Sequence, residues 1–94
     1  MNPITPQAIL RHELIGLRVR VTEATNPTVR GLRGSVIDET KNMLKIHSTH
    51  GSLMIPKGIA TFRFTLPDGV QVDVGGRRLI ARPEARLKTR VRRW

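Results

Sequence analysis

Residues 61–76 read TFRFTLPDGVQVDVGG, and this stretch predicts two β-strands joined by a tight turn. Phe62, Phe64 and Leu66 alternate with polar residues, which is the period of a strand with one buried face. Pro67-Asp68-Gly69 is a strong turn signal, and alternating valines follow it. We expect both phenylalanines to lie in the core, because Leu66 continues their apolar stripe.

The same period of two extends outward from this stretch in both directions. Four further strands are predicted upstream, at residues 17–22, 32–39, 43–48 and 53–56. Downstream, Gly75-Gly76 suits a hairpin turn, and residues 77–81 would form a last strand. Short strands joined by tight turns are typical of a small antiparallel β-barrel, in which closure of the sheet removes its edges.

Short helices are predicted at both ends of the chain. Thr5 can cap a helix that has Pro6 in its first position and ends at Gly16. Pro83 can begin a basic helix that continues to Trp94. We therefore expect one mainly β domain over residues 1–94, with an N-terminal helical segment (1–15), a barrel (16–82) and a C-terminal helix (83–94).

The charge of the chain indicates a polyanionic partner. Its 94 residues include 17 Lys or Arg against 7 Asp or Glu, a formal charge of +10. Residues 77–94 alone hold eight basic residues and one acid, a net charge of +7. The basic residues are 13 Arg and 4 Lys, and arginine is the better residue for bidentate phosphate contacts. Nucleic acid is the polyanion that such a chain most often binds.

Other classes of protein are disfavoured. There is no cysteine, so neither a disulfide framework nor a zinc ribbon can form. No apolar run is long enough to span a membrane, and the N-terminus resembles neither a signal peptide nor a transit peptide. We expect a cytoplasmic protein with no membrane partner.

No catalytic or metal site is predicted. His47 and His50 lie near Lys45 and could act as an acid–base pair, but an exposed strand-end histidine and a turn histidine explain them as well. Asp38 and Glu39 are adjacent, so they point to opposite sides of a strand and are only a weak signal for a metal site. Aromatic residues are scarce, which favours binding through phosphates rather than through stacked bases.

Four segments together resemble a known family. They are HELIGL at 12–17, VIDETKNMLKI at 36–46, PKGIATFRF at 56–64 and ARPEARLK at 81–88. In this order they resemble archaeal ribonuclease P protein component 1, the counterpart of a eukaryotic ribonuclease P and MRP subunit. The resemblance implies an Sm-like barrel of antiparallel strands with helices at both ends.

The resemblance also implies a role and partners. Ribonuclease P removes the 5′ leader of precursor transfer RNA, and its RNA subunit holds the catalytic groups and Mg²⁺. The chain would bind and brace that RNA, help to engage precursor transfer RNA, and carry no active site or cofactor of its own. It would be a monomer when isolated, and it would pair with a zinc-ribbon protein subunit and with other subunits of the complex.

Particular residues are predicted for these contacts. The RNA-facing residues would be Lys41, Asn42, Lys57, Arg63, Arg82, Arg86, Lys88 and Arg90. The contact with the zinc-ribbon subunit would lie within residues 6–21, through Ile9, Leu10, Leu14 and Leu17. Packing of the same apolar stripe on the chain's own barrel is an equal alternative.

Three other functions remain open from the sequence. Asp38, Asn42 and Leu44 resemble the first Sm motif of ring-forming Sm or Hfq-type RNA chaperones, although the Arg-Gly pair of the second motif is absent after Ile59. A ribosome-associated structural protein would share the charge and the small core. A nuclease that acts without an RNA subunit is the third.

Overall fold

The computed structural model describes residues 13–81, which form six strands and two short 3₁₀ helices. The strands are β1 (Arg18–Ala24), β2 (Arg33–Glu39), β3 (Met43–Ser48), β4 (Gly51–Pro56), β5 (Ala60–Thr65) and β6 (Gln71–Gly75). A first 3₁₀ helix (Lys57–Ile59) joins β4 to β5, and a second (Gly76–Leu79) follows β6. The prediction of a mainly β domain of short strands is confirmed.

All six strands belong to one antiparallel sheet in the order β4-β3-β2-β1-β5-β6. Only the β1–β5 pair joins strands that are distant in sequence. Apolar side chains from every strand meet in a single buried cluster. Phe62 and Phe64 are fully buried in it, with ring centroids 6.1 Å apart, so the prediction that they belong to the core is confirmed.

The sheet curls around this core without closing into a barrel. Its two end strands, β4 and β6, do not pair with each other in the described part of the chain. They nevertheless share the core, since Ile55 of β4 and Val74 of β6 belong to the same cluster. Irregular register between Val21 and Glu23, and between Val36 and Asp38, gives β1 and β2 the extra twist that such curling needs. The expectation of a closed barrel is therefore wrong for residues 13–81.

After β6 the chain does not continue as a strand, because the second 3₁₀ helix begins at Gly76. A Cβ atom there would overlap the Lys57 carbonyl oxygen and lie 2.7 Å from that of Ala60, so the chain passes directly over the first 3₁₀ helix. From this point it coils into the second 3₁₀ helix and buries Leu79. The predicted hairpin turn at residues 75–76 and the last strand at residues 77–81 are wrong, because this close backbone contact replaces another strand.

The two predicted terminal helices lie almost wholly outside the described residues. Of the N-terminal segment, residues 13–15 are described and lead into a turn at Gly16, whose φ is +97°. The Gly16 N–H donates a hydrogen bond to the Val36 carbonyl oxygen at 2.8 Å, which fixes this turn against β2. The predicted C-terminal helix, residues 83–94, is outside the described range.

A buried ammonium group joins the two ends of the sheet. Lys57 has no solvent exposure, and its Nζ forms an ion pair with the equally buried Glu39 carboxylate at 2.7 Å. The same Nζ lies within hydrogen-bonding distance of four backbone carbonyl oxygens, at Thr40 (2.7 Å), Leu79 (3.0 Å), Lys41 (3.2 Å) and Ala81 (3.2 Å), which share its three N–H donors with Glu39. We call these groups the Lys57 cluster. It ties the turn after β2 to both 3₁₀ helices.

Loss of the Lys57 ammonium should strongly destabilise the fold. Lys57→Met keeps most of the side-chain length but leaves the Glu39 carboxylate and several carbonyls buried without their donor. We expect a loss of about 3–5 kcal/mol in the free energy of unfolding, measured by urea denaturation. Lys41→Met, in the exposed turn, is the matched control and should change stability little. A loss below about 1 kcal/mol for Lys57→Met would contradict the role of the cluster.

The two adjacent glycines after β6 should differ sharply in their tolerance of alanine. Gly75→Ala meets no atom within 4 Å, whereas Gly76→Ala overlaps backbone that cannot move aside. We expect the Gly76 variant to lose about 1–3 kcal/mol in thermal or urea unfolding, and the Gly75 variant to be close to neutral. Equal effects at both positions would show that the 3₁₀ helices are not in such close contact.

Candidate nucleic-acid interface

The outer face of the sheet is rich in arginine because β1 alternates basic and apolar residues. Val19 and Val21 are buried in the core, so Arg18 and Arg20 point to the opposite side and are exposed. β1 lies at the centre of the sheet between β2 and β5. Its arginines therefore lie where neighbouring strands can add further charges on both sides.

Strand register brings three arginines into one line. Arg20 lies directly opposite Arg33 of β2 and, on its other side, directly opposite Arg63 of β5. We call Arg33, Arg20 and Arg63 the arginine row. Arg18 lies two residues from Arg20 on the same face, and all four side chains line one open depression of the surface. Like charges directly opposite one another destabilise a sheet. Binding of an anionic ligand would reduce the repulsion among these arginines, so the row favours the ligand-bound protein.

Most of these arginines have no anionic partner among residues 13–81. Within residues 13–81, the side chains of Arg18, Arg20 and Arg33 form no ion pair and no hydrogen bond. Arg63 is the exception. Its Nε donates to Asp73 Oδ1 at 2.7 Å and its Nη2 donates to Asp73 Oδ2 at 3.1 Å.

The Arg63–Asp73 pair is an exposed ion pair at the end of the arginine row. The hydrogen bonds and the charge of Asp73 raise the pKa of Arg63. Conversely, the hydrogen bonds from Arg63 lower the pKa of Asp73, with its positive charge acting in the same direction. Both groups are therefore ionised at neutral pH. The negative charge of Asp73 offsets part of the positive charge that Arg63 adds to the arginine row.

A second line of polar residues crosses the sheet beside the arginine row. From β4 to β6 the register gives Ser52, His47, Ser35, Arg18, Thr65 and Gln71. His47 Nδ1 lies 3.3 Å from Ser52 Oγ. The face therefore offers hydroxyl, amide and imidazole groups next to guanidinium groups, a combination suited to the phosphates and hydroxyls of nucleic acid.

The predicted RNA-facing residues fall in different places. Lys41 and Asn42 are exposed at the turn between β2 and β3. Arg63 lies on the outer face in the arginine row. Arg82, Arg86, Lys88 and Arg90 lie outside the described residues.

Lys57 does not fit the predicted RNA contact. Its side chain is fully buried, and its ammonium is enclosed by the Glu39 carboxylate and backbone carbonyls. A phosphate could reach it only if the core opened. The expectation that Lys57 faces RNA is corrected to a structural role.

The predicted protein interface is also changed. Leu14 has no exposure and Leu17 is 8% exposed, and both belong to the chain's own core cluster. Their burial favours the alternative in which this apolar stripe packs on its own sheet. Ile9 and Leu10 lie outside the described residues, while Ile15 is exposed beside Leu14.

Sequence reasoning missed Arg18, Arg20 and Arg33 as site residues. The alternation in residues 17–22 already shows that Arg18 and Arg20 share the exposed face. It does not show which strands flank β1. The pairing of β1 with β5 is long-range, and only that pairing brings Arg63 next to Arg20.

The described residues lack two features of other functional classes. No group of three or more His, Cys, Asp or Glu side chains within residues 13–81 could hold a metal ion. Nor does any helix in this range have the length and apolar character needed to cross a membrane.

Known proteins are similar to this chain over most of its length. Residues 7–89 match the model of the family described as ribonuclease P/MRP, subunit p29. A protein of Methanothermobacter thermautotrophicus, named ribonuclease P protein component 1, is 47% identical over 91 residues, which cover 96% of this chain and 98% of that protein. Its namesake in Methanocaldococcus jannaschii is 52% identical, with 95% of this chain and 94% of that one covered.

A solved structure has the same fold. It is that of Mth11, described as a homologue of the human RNase P protein Rpp29, and it superimposes with a TM-score of 0.60 at 47% identity. The match covers 80% of this chain and 97% of that structure.

Removal of one central charge from the arginine row should stabilise the free protein. In Arg20→Gln, the repulsion from Arg33 and Arg63 disappears and no hydrogen bond to the described chain is lost. We expect a gain of about 0.2–1 kcal/mol at low salt, read from the thermal midpoint, that fades as salt screens the remaining charges. Arg77→Gln removes the same charge from the second 3₁₀ helix and should gain less. A loss of stability in Arg20→Gln would show that the guanidinium has an internal partner.

Proposed function

The chain belongs to the ribonuclease P/MRP subunit p29 family, and from this premise we propose that the outer face of its sheet, with the arginine row, binds the RNA of ribonuclease P. As a member of the family, the chain is a protein subunit of ribonuclease P, the enzyme that processes precursor transfer RNA. We propose that it braces the catalytic RNA and performs no chemistry itself. The family match does not favour the Sm or Hfq-type and ribosome-associated alternatives.

The arginine row is the observation that carries this proposal. Neighbouring strands are about 4.8 Å apart, so the three arginines span about 10 Å, with Arg18 completing a compact patch. Arginine presents a planar fork of N–H donors that matches a phosphate in geometry and in charge. A patch of this size can neutralise phosphates that a folded RNA brings close together, which removes part of the repulsion that opposes the RNA fold.

Within residues 13–81, the absence of exposed aromatic rings supports phosphate binding. Proteins that bind single strands through their bases stack those bases on exposed aromatic rings. Phe62 and Phe64 are fully buried, and they are the aromatic residues of the described range. The outer face therefore offers charge and hydrogen bonds, which suit the shape of a folded RNA more than the bases of an extended strand.

A second group of contacts is proposed at the turn between β2 and β3. Lys41 and Asn42 are exposed there, and the Ala81 N–H donates to the Lys41 carbonyl oxygen at 3.1 Å. Ala81, the last described residue, therefore lies beside Lys41. This supports the proposal that the turn contacts RNA together with the basic residues that follow, Arg82, Arg86, Lys88 and Arg90.

The partners proposed for this chain follow from the family. They are ribonuclease P RNA, precursor transfer RNA, a zinc-ribbon protein subunit and further subunits of the complex. We expect the RNA to hold Mg²⁺ and the complex to act in the cytoplasm. For the zinc-ribbon subunit, the N-terminal region remains the proposed contact. Exposed Ile15, next to buried Leu14, is the described apolar residue of that region best placed for it. The isolated chain is proposed to be a monomer.

The direct test is reconstitution of precursor transfer RNA cleavage. Ribonuclease P RNA would be assayed at limiting Mg²⁺ with its other protein subunits, either with this chain, without it, or with the Arg20→Gln Arg33→Gln variant. We expect the wild-type chain to increase cleavage and the variant to lose most of that gain. In direct RNA binding, the negative slope of log K against log salt should become less steep by about 1.4–1.8 in the variant, because two phosphate contacts are removed.

Arg77→Gln Arg78→Gln is the control for total charge. It removes the same number of charges from exposed positions outside the arginine row. Equal losses in both double variants would mean that overall charge, and not the row, carries binding. Cleavage that does not depend on the chain would contradict the proposed function itself.

A further inference from the structure

An acidic residue terminates the arginine row. Asp73 lies on β6, the end strand of the sheet, directly opposite Arg63. The order across four strands is thus Arg33, Arg20, Arg63 and Asp73, three cations followed by an anion. A carboxylate is unexpected here, because it lies in line with the arginines that are proposed to bind phosphates.

The geometry of the pair determines which donors of Arg63 remain for RNA. Asp73 occupies one edge of the guanidinium, at Nε and Nη2. Nη1 forms no hydrogen bond with the described residues. A phosphate can therefore approach Arg63 only from the outer end of the guanidinium, and it must do so against the negative charge of Asp73.

Both side chains of the Arg63–Asp73 pair are exposed to solvent. The side chain of Arg63 is 37% exposed and that of Asp73 is 53% exposed. Exposed ion pairs contribute little to stability, so fold stability alone gives little reason for Asp73 to be at this position. Asp73 also acts on incoming anions, because two like charges about 4 Å apart repel by about 1 kcal/mol in bulk water.

We propose that Asp73 is a specificity-determining residue of the RNA-binding face. Its negative charge opposes the binding of a phosphate to Arg63 when the polyanion does not also contact Arg20 and Arg33. An RNA that also presents phosphates to Arg20 and Arg33 is already anchored on the row, and it can place a phosphate at the free end of Arg63 despite the carboxylate. This inference rests on the proposed RNA-binding role of the face and adds a discriminating residue to it.

Asp73→Asn tests the proposal, because it removes the charge while keeping the size and one acceptor for Arg63. Binding would be measured across a salt series with ribonuclease P RNA and with single-stranded oligo(U). For oligo(U) we expect about a fivefold gain in affinity and a steeper log–log salt slope, by about 0.7 for one additional phosphate. Binding to ribonuclease P RNA should change less, so the ratio of the two affinities falls.

Two variants connect the effect to its cause. Asp68→Asn makes the same charge change in the β5–β6 turn, where Asn can still accept the hydrogen bond from the Val70 N–H, and it should leave the ratio unchanged. In an Arg63→Gln background, Asp73→Asn should also leave the ratio unchanged, because Asp73 acts through Arg63. Unchanged melting curves would show that all variants are folded.

The outcomes separate this inference from the proposed function. If Asp73→Asn raises affinity for both RNAs equally, or not at all, or no more than Asp68→Asn does, Asp73 does not determine specificity, whatever the face binds. If Arg20→Gln Arg33→Gln binds ribonuclease P RNA as well as the wild type, the face itself has been wrongly assigned.

Discussion

The Lys57 ammonium is the group on which the geometry of the sheet depends. An unpaired charge in a protein core is strongly unfavourable, and this one is stabilised by the Glu39 carboxylate and by carbonyl oxygens from two separate segments, the turn after β2 and the end of the second 3₁₀ helix. These oxygens can surround one nitrogen only if the turn after β2 and both 3₁₀ helices come together. The cluster therefore joins the two ends of a sheet that does not close by hydrogen bonds between strands.

This arrangement leaves the outer face free for binding. Because the core is enclosed by the curled inner face, each strand can supply apolar side chains inward and basic or polar side chains outward. β1 shows this most clearly, with Val19 and Val21 in the core and Arg18 and Arg20 outside. One short strand thus serves both the stability of the fold and the proposed contact with RNA. The repulsion within the arginine row is the cost of concentrating charge for that contact.

Much of the fold was predictable from local patterns, whereas the site depended on long-range pairing. Alternation located the strands, and the stripe through Phe62 and Phe64 located the core. The role of Lys57 could not be predicted, because a lysine beside a glycine resembles an exposed turn residue until the surrounding carbonyls are known. Closure was wrongly expected because no local signal shows that Gly76 lies against the backbone at Lys57. The arginine row required the β1–β5 register, which the sequence does not encode locally.

RNA is proposed to bind the outer face of the sheet over β2, β1 and β5. Nuclear magnetic resonance titration of the labelled protein with a fragment of ribonuclease P RNA tests this proposal most directly, because the backbone amide of each residue reports separately. We predict the largest shifts at Arg18, Arg20, Arg33 and Arg63 and at their cross-strand neighbours, with amides beside the Lys57 cluster little changed. Shifts confined to other surfaces, with the arginine row unaffected at saturation, would contradict the account.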